Sequence, residues 1–141
     1  MPGFEFLGEQ LIGKNGPVPI AALDDAPAVA IYFSAHWCPP CRGFTPVLAQ
    51  FYEDANEAEQ QVEIVFVSLD QTQEKFDEYY GTMPWLAVPW DKSKIEGIQQ
   101  KIPFSGIPYL VVMNRDGTIK STTGRADVTG KGPACLADWK N

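Results

Sequence analysis

Histidine occurs once in the 141 residues, as His36, and cysteine only three times. Three cysteines are few for a small secreted scaffold held by disulfides. Basic residues are also in the minority: 11 Lys+Arg face 18 Asp+Glu, a net charge of -7. Such a chain is poorly equipped to neutralise a phosphate backbone, so nucleic acid is not an expected ligand. The negative surface favours solubility and says little about protein partners. No apolar run approaches the ~20 residues of a membrane span, so no membrane association is expected. The opening residues MPGFEFLGEQ lack a basic segment followed by an apolar stretch and do not read as a secretory signal. Repeats, low-complexity tracts and linkers are absent too.

What is present is an ordinary globular balance, 45% hydrophobic and 21% charged, with 12 Gly and 12 Pro. It excludes disorder, collagen and coiled coil. At this length roughly 68–70% of the unfolded surface can be buried, so a single domain over 1–141 with an unstapled core is expected.

Apolar runs alternate with helical patterns. Residues 28–34, AVAIYFS, and 62–69, VEIVFVSL, have the continuous apolar character of strands buried on both faces. Between them Phe44, Val47, Leu48, Phe51, Tyr52 and Ala55 follow one helical face, which Pro46 should kink. Two strands joined by a helix form a βαβ unit, parallel and with a right-handed crossover. Phe76, Tyr79 and Tyr80 share a helical face within 72–80. A Pro- and Trp-rich loop follows from Met83 to Trp90. Ile95, Ile98 and Ile102 mark a short helix that stops before Pro103. Tyr109–Met113 and Thr118–Thr122 read as an antiparallel hairpin turned at Asn114-Arg115-Asp116-Gly117, and Leu136 and Trp139 anchor a closing helix. The sum is an α/β domain: a mixed central sheet, built from the βαβ unit and a C-terminal β-hairpin, with helices on both faces. The first 27 residues are ambiguous; Phe4–Leu7 and Gln10–Gly13 can form a small extra hairpin there.

Chemistry concentrates at Trp37-Cys38-Pro39-Pro40-Cys41. Cys38 falls where a strand ends and a helix begins. Unpaired backbone N–H groups and the positive end of the helix dipole favour a thiolate there. Pro39 and Pro40 are tolerated because first-turn N–H groups have no intrahelical partner. The Cys38 sulfur is then expected to draw hydrogen bonds from the N–H groups of Cys41 and Arg42. Two intervening residues let the cysteines close a disulfide across the first turn, with Cys38 outer and attacking and Cys41 deeper and resolving. A zinc site would need two more ligands, and only Cys135 and His36 are on offer, so no metal is expected. A peroxide-reactive cysteine would use a neighbouring hydroxyl and arginine, but Thr45 and Arg42 come after the pair. Inert core cysteines are the remaining alternative. A redox-active dithiol fits best, in an intracellular protein. Cys135, far along the chain, is expected to stand outside the redox couple as a small buried hydrophobe.

The stretch Ser34-Ala35-His36-Trp37-Cys38-Pro39-Pro40-Cys41-Arg42-Gly43-Phe44-Thr45-Pro46 resembles the active site of tryparedoxins and nucleoredoxins, branches of the thioredoxin superfamily. Further likenesses are Tyr79-Tyr80, Met83-Pro84-Trp85-Leu86-Ala87-Val88-Pro89, Ile107-Pro108 and Gly124-Arg125, so the similarity runs from about residue 28 to 139. The resemblance implies a thioredoxin fold and a Cys38/Cys41 dithiol–disulfide cycle. It implies that Trp37 flanks the dithiol and helps present substrate. Pro108 would follow a cis bond, with the Ile107 backbone open to a substrate strand. Tyr32 stands where ordinary thioredoxins bury an aspartate, so proton transfer to Cys41 must use water or another carboxylate. Asp70, ending the second parallel strand, is the nearest candidate, and an ordinary turn residue is an equal reading. Arg42 and Arg125 are candidate contacts for an anionic or thiol-peptide donor, or else solvated surface charges. His36 is expected to be exposed and uninvolved, and Trp85 and Trp90 to be packing residues.

Two functions follow. The first is a protein-disulfide reductase, a monomer acting on disulfide-containing protein substrates. The second is a redox-gated binding module that regulates a signalling or transcription partner. No flavin or nicotinamide motif occurs, so no bound cofactor is expected and an external thiol donor must restore the dithiol. Tryparedoxin resemblance implies trypanothione; nucleoredoxin resemblance implies thioredoxin reductase or glutathione. The cytoplasm is the expected location, with the nucleus as a second one.

Overall fold

In the computed structural model, residues 4–104 and 106–140 are described. The chain starts with a 3-10 turn, Glu5–Leu7, followed by an antiparallel hairpin of Gln10–Gly13 (β1) and Gly16–Pro19 (β2). The expected pairing of Phe4–Leu7 with Gln10–Gly13 is therefore corrected: β1 pairs forward, with β2. Phe4 and Leu7 instead both pack into the core, since a 3-10 turn stacks residues three apart on one side.

A second 3-10 segment, Ile20–Asp25, leads into Val29–Ser34 (β3). Pro39–Ala55 (α1) and Glu63–Ser68 (β4) complete the βαβ unit, with β3 and β4 parallel and Tyr32 level with Phe66. Gln73–Tyr80 (α2) starts at Thr72, whose side-chain oxygen accepts from the Lys75 N–H. Within the Pro- and Trp-rich loop, Leu86–Ala87 (β5) forms a two-residue strand that the sequence reading did not place. It pairs parallel to β4 and antiparallel to Ile12 of β1, and so stitches the N-terminal hairpin to the main sheet. Lys92–Lys101 (α3) is capped by Asp91. Tyr109–Met113 (β6) runs antiparallel to β3, and Ile119–Ser121 (β7) returns along it. The turn between them uses Gly117 at φ 90°, a conformation that side chains disfavour. Gly124–Lys131 (α4), a 3-10 turn at Gly132–Cys135 and Leu136–Trp139 (α5) end the chain. Helix α4 escaped the sequence reading because only Gly124 and Val128 of its residues are buried, too few to print an apolar stripe.

The sheet order is β2-β1-β5-β4-β3-β6-β7. Alternate side chains of its central strands feed two separate cores. One face carries Ala30, Tyr32, Ile64, Phe66, Leu110 and Val112, under α1, α2, α4 and α5. The other carries Val29, Ile31, Phe33, Val65, Val67 and Val111, under α3 and the two N-terminal 3-10 segments. Helix α1 turns Phe44, Leu48, Phe51 and Ala55 inward and continues through Pro46. Val47 departs from the expected face and is exposed, because those four already fill the buried stripe. Phe66 stacks on Phe76 and meets Tyr79 edge-on, contacts that fix α2 beside the end of β3.

Candidate active site

Ser34 is the last residue of β3 and Pro39 the first of α1. The four residues between them make the turn that carries the dithiol. Cys38 occupies the N-cap with extended backbone and makes no side-chain capping bond, so its thiol is free of the helix end. Pro39 and Pro40 fill the first two helical positions, where a missing N–H costs nothing.

All three cysteines are thiols. Cys38 is 6% exposed and Cys41 is fully buried. The outer sulfur is thus more sheltered than a helix-tip position suggests, because Ala35 and Ile107 close around it. The Arg42 N–H, expected on the Cys38 sulfur, instead donates to the Cys38 carbonyl at 3.1 Å as an ordinary helical bond. The Cys38 thiol points the other way and donates to the Ile107 carbonyl at 3.9 Å. The Ile107–Pro108 peptide bond is cis. Trp37 projects from the turn, 58% exposed, while its indole N–H donates to the Leu69 carbonyl at 3.1 Å. The indole walls a groove of about 280 Å³ with Asp70, Gln71, Thr72 and Lys75.

Behind Cys38 the chemistry changes. Burial pushes the Cys41 thiol up to about 11, the hydrogen bond with Cys38 adds to this, and hydrogen bonds from Ser34 and the Ala35 backbone oppose it. At neutral pH Cys41 keeps its proton and is no nucleophile until that proton is removed. Four hydroxyls surround it. Ser34 Oγ lies 2.7 Å from Tyr79 Oη, Tyr79 Oη 2.7 Å from Thr45 Oγ1, and Thr45 Oγ1 2.7 Å from Tyr32 Oη. Thr45 also donates to the Cys41 carbonyl at 2.9 Å. Among the described residues, no group of three or more His, Cys, Asp or Glu could hold a metal.

A family model described as thioredoxin-like matches residues 27–119, which span the whole dithiol turn and the cis-proline loop. The chain belongs to the thioredoxin-like family. Tryparedoxin of Trypanosoma brucei brucei is 41% identical over 133 residues, 93% of this chain and 91% of that protein. A solved structure of tryparedoxin from Trypanosoma brucei superposes with a TM-score of 0.85 at 39% identity, covering 100% of this chain and 95% of that one. Nucleoredoxin of Mus musculus is 39% identical over 128 residues, 90% of this chain but 29% of that longer protein. A structure of tryparedoxin II complexed with glutathionylspermidine matches with a TM-score of 0.85 and 32% identity, over 98% of each chain. The fold is the thioredoxin fold, and this thioredoxin-like protein is a thiol oxidoreductase.

The remaining site residues of the thioredoxin-like chain divide. Arg42 lies exposed on α1, on the wall of a second cavity of about 430 Å³. Arg125, at the start of α4, sets its guanidinium 5.8 Å from the Phe44 ring centre. It reaches that place because α4 sits hard on β6: a Cβ at Gly124 would fall 2.8 Å from the Leu110 carbonyl oxygen. Asp70 is held between the dithiol turn and the end of β4. Its carboxylate accepts from the His36 N–H at 2.8 Å and from Ser68 Oγ at 2.7 Å, tying the end of β4 to the dithiol turn. Those bonds use both oxygens, and the hydroxyls rather than Asp70 surround Cys41. His36 is half-buried, not free: its ring stacks on Tyr79 at 5.3 Å. Trp85 is buried edge-on to Tyr32 and Tyr52, and Trp90 donates to the Asp70 carbonyl. Ser34, Thr45 and Tyr79 were not assigned to the redox site from sequence. The one available signal was a serine closing an otherwise apolar strand, level with the cysteines in chain order.

Proposed function

We propose that the chain reduces disulfides in protein substrates. The observation that carries this reading is the asymmetry of the pair: Cys38 opens toward the Ile107 carbonyl beside exposed Trp37, whereas Cys41 is sealed and holds its proton. The Cys38 thiolate attacks one sulfur of the substrate disulfide. A Cys38–substrate bond forms, and the other substrate sulfur leaves as a thiolate that takes up a proton. Cys41, once deprotonated, attacks Cys38, and the second substrate thiol departs. The substrate gains two electrons and two protons, and the enzyme is left with a Cys38–Cys41 disulfide. Trp37, Ile107 and Pro108 form the face on which a substrate segment rests. An external thiol donor then returns the two electrons. Arg42, exposed on α1, and Arg125, at the start of α4 beside Phe44, suit a donor with carboxylates; the glutathionylspermidine complex of tryparedoxin II supports a thiol-peptide donor of that kind.

The test combines turnover and capture. Purified disulfide-form protein is offered trypanothione, glutathione, or NADPH with thioredoxin reductase, and insulin reduction is followed. At least one donor is expected to sustain many turnovers. Cys41→Ser is expected to accumulate a dithiothreitol-reversible adduct with substrate on a non-reducing gel, and Cys38→Ser none. Capture by both variants alike would mean the nucleophile is misassigned. Adducts on neither, without turnover, would favour a redox-gated binding module instead.

A further inference from the structure

We propose that Ser34, Tyr79 and Thr45 form a reversible hydroxyl chain that carries the proton of Cys41 out to the cavity beside His36 when the mixed disulfide is resolved. The inference rests on the reductase reading above and assigns the proton step that reading requires.

Hydrogen-bond direction in this cluster is decided by its last member. Thr45 Oγ1 donates to the Cys41 carbonyl at 2.9 Å, so it accepts from both Tyr79 and Tyr32. Tyr79, donating to Thr45, accepts from Ser34. Ser34, with its own proton given to Tyr79, is left to accept from the Cys41 S–H; the same hydrogen bond, reversed, favours the thiolate. In the thiol state this wiring runs from the sulfur through three hydroxyls. When Cys41 ionises, one hop along the chain reverses it. The Cys41 proton passes to Ser34, the Ser34 proton to Tyr79 and the Tyr79 proton to Thr45, while the Thr45 proton turns from the Cys41 carbonyl and leaves to solvent in the cavity. Ser34 then donates to the sulfur anion, Tyr79 to Ser34 and Thr45 to Tyr79. Tyr32, no longer donating to Thr45, turns its hydroxyl to the Cys41 carbonyl, 3.4 Å away. One proton has gone and no hydroxyl lacks a partner in either state, the condition for a buried polar network to be worth having. The electrons do not use the chain: they move as the Cys41–Cys38 bond forms and the Cys38–substrate bond breaks.

The exit is visible. Thr45 and Tyr79 both line the cavity of about 430 Å³, whose wall also includes His36, Arg42 and Glu53. Of the titratable groups around Cys41, Cys38 stands ahead of it on the turn, Tyr32 behind it on β3 and Tyr79 on α2. His36, Arg42 and Glu53 face the cavity rather than the sulfur, and Glu78 lies 3.9 Å from the His36 ring nitrogen. Asp70 is held by His36 and Ser68. With the Cys41 thiol at about 11, resolution at neutral pH needs the proton taken away in step with attack, which a positioned acceptor chain supplies. Ser34 touches the reacting sulfur; Tyr79 and Thr45 act through it as positioning residues.

Ellman's disulfide separates the steps. Cys38 releases one thionitrobenzoate on attack, and Cys41 releases the second on resolution, each followed in a stopped-flow absorbance trace. Ser34→Ala and Tyr79→Phe are expected to leave the first release within twofold of the parent and slow the second at least ~10-fold at pH 7. Tyr79→Phe keeps the ring stacked on His36, and a thermal melt reports folding separately. The deficit is expected to close as pH rises toward the Cys41 value, where hydroxide removes the proton unaided. Thr45→Ser, which restores a hydroxyl, is expected to resolve faster than Thr45→Val. A second release with parental rate and pH profile in both variants overturns the proposal, as does equal slowing of both releases in folded protein. Loss of the first release from the parent protein would instead sink the reductase reading itself.

Discussion

The two faces of the central sheet are equally buried and chemically unlike. Under α3, the layer is almost wholly hydrocarbon: Val29, Ile31, Val65, Val67 and Val111 meet Ile95, Ile98 and Ile102. Under α1 and α2, the same strands present Tyr32, Ser34 and Phe66 to Thr45, Tyr79 and Tyr80, and hydroxyls run through the packing. Both arise from one strand, β3, whose odd side chains go one way and even ones the other. The hydrocarbon face is free to do nothing but hold. The hydroxyl face holds the fold and also surrounds the buried Cys41 thiol, and its polar groups are paired among themselves.

Truncation on the hydrocarbon face should break the contrast most sharply. Ile31→Ala, at a fully buried position, is expected to lower unfolding free energy by about 2–5 kcal/mol in urea titration. Its thiol kinetics, measured on folded protein, should match the parent. A selective loss of Cys41 resolution would mean the two layers are coupled. Gly124→Ala comes next. The added methyl meets the Leu110 carbonyl and side chain of β6, so α4 has to move, at a cost of about 1–3 kcal/mol by thermal melt. Because Arg125 is the next residue, the KM for the thiol donor is expected to rise more than the rate of attack by Cys38 falls.

Cys135 tests whether every thiol on the hydroxyl face is chemical. It is buried among Val128, Leu136 and Trp139, and burial first, then Asp127, pushes it up to about 11. Iodoacetamide at pH 8 is expected to leave it unmodified in native protein, by peptide mass mapping. Cys135→Ala should cost ~1 kcal/mol of stability and keep most of the reductase activity. The smallest effect is expected at Glu63, at the far end of β4. Burial raises its carboxyl, against hydrogen bonds from Tyr52, the Ile64 N–H and Gln60. The folded state then binds this proton more tightly than the unfolded chain does. Stability from this group is full below the ordinary carboxylate range near ~4.3 and is lost as pH rises through the folded value. Glu63→Gln should therefore raise the melting temperature at pH 7 by ~2 °C and flatten the fall between acid and neutral pH.

The apolar runs of β3, β4 and β6 and the stripe of α1 could be read directly, because burial on both faces and helical period leave a one-dimensional trace. So could the dithiol, since Cys38, the two prolines and Cys41 are contiguous and their chemistry depends on a local helix start. Helix α4 and strand β5 left no such trace. They are short, and they exist because β6 and β4 offer them a surface. The same holds within the site. Asp70 was legible as a carboxylate near the pair, yet its partners, His36 and Ser68, come from the turn and strand it clasps. Ser34, Thr45 and Tyr79 sit on a strand, a helix and a second helix, up to 45 residues apart in the chain. Their hydroxyls converge only because the βαβ crossover lays α1 over β3 and the Phe66 stack holds α2 against the end of both. The sequence by itself determined which atoms can exchange electrons, since two thiols one helical turn apart need little else. The tertiary structure decided which thiol is shielded and which hydroxyls stand beside it, because burial and long-range hydrogen bonds are properties of the packed chain alone.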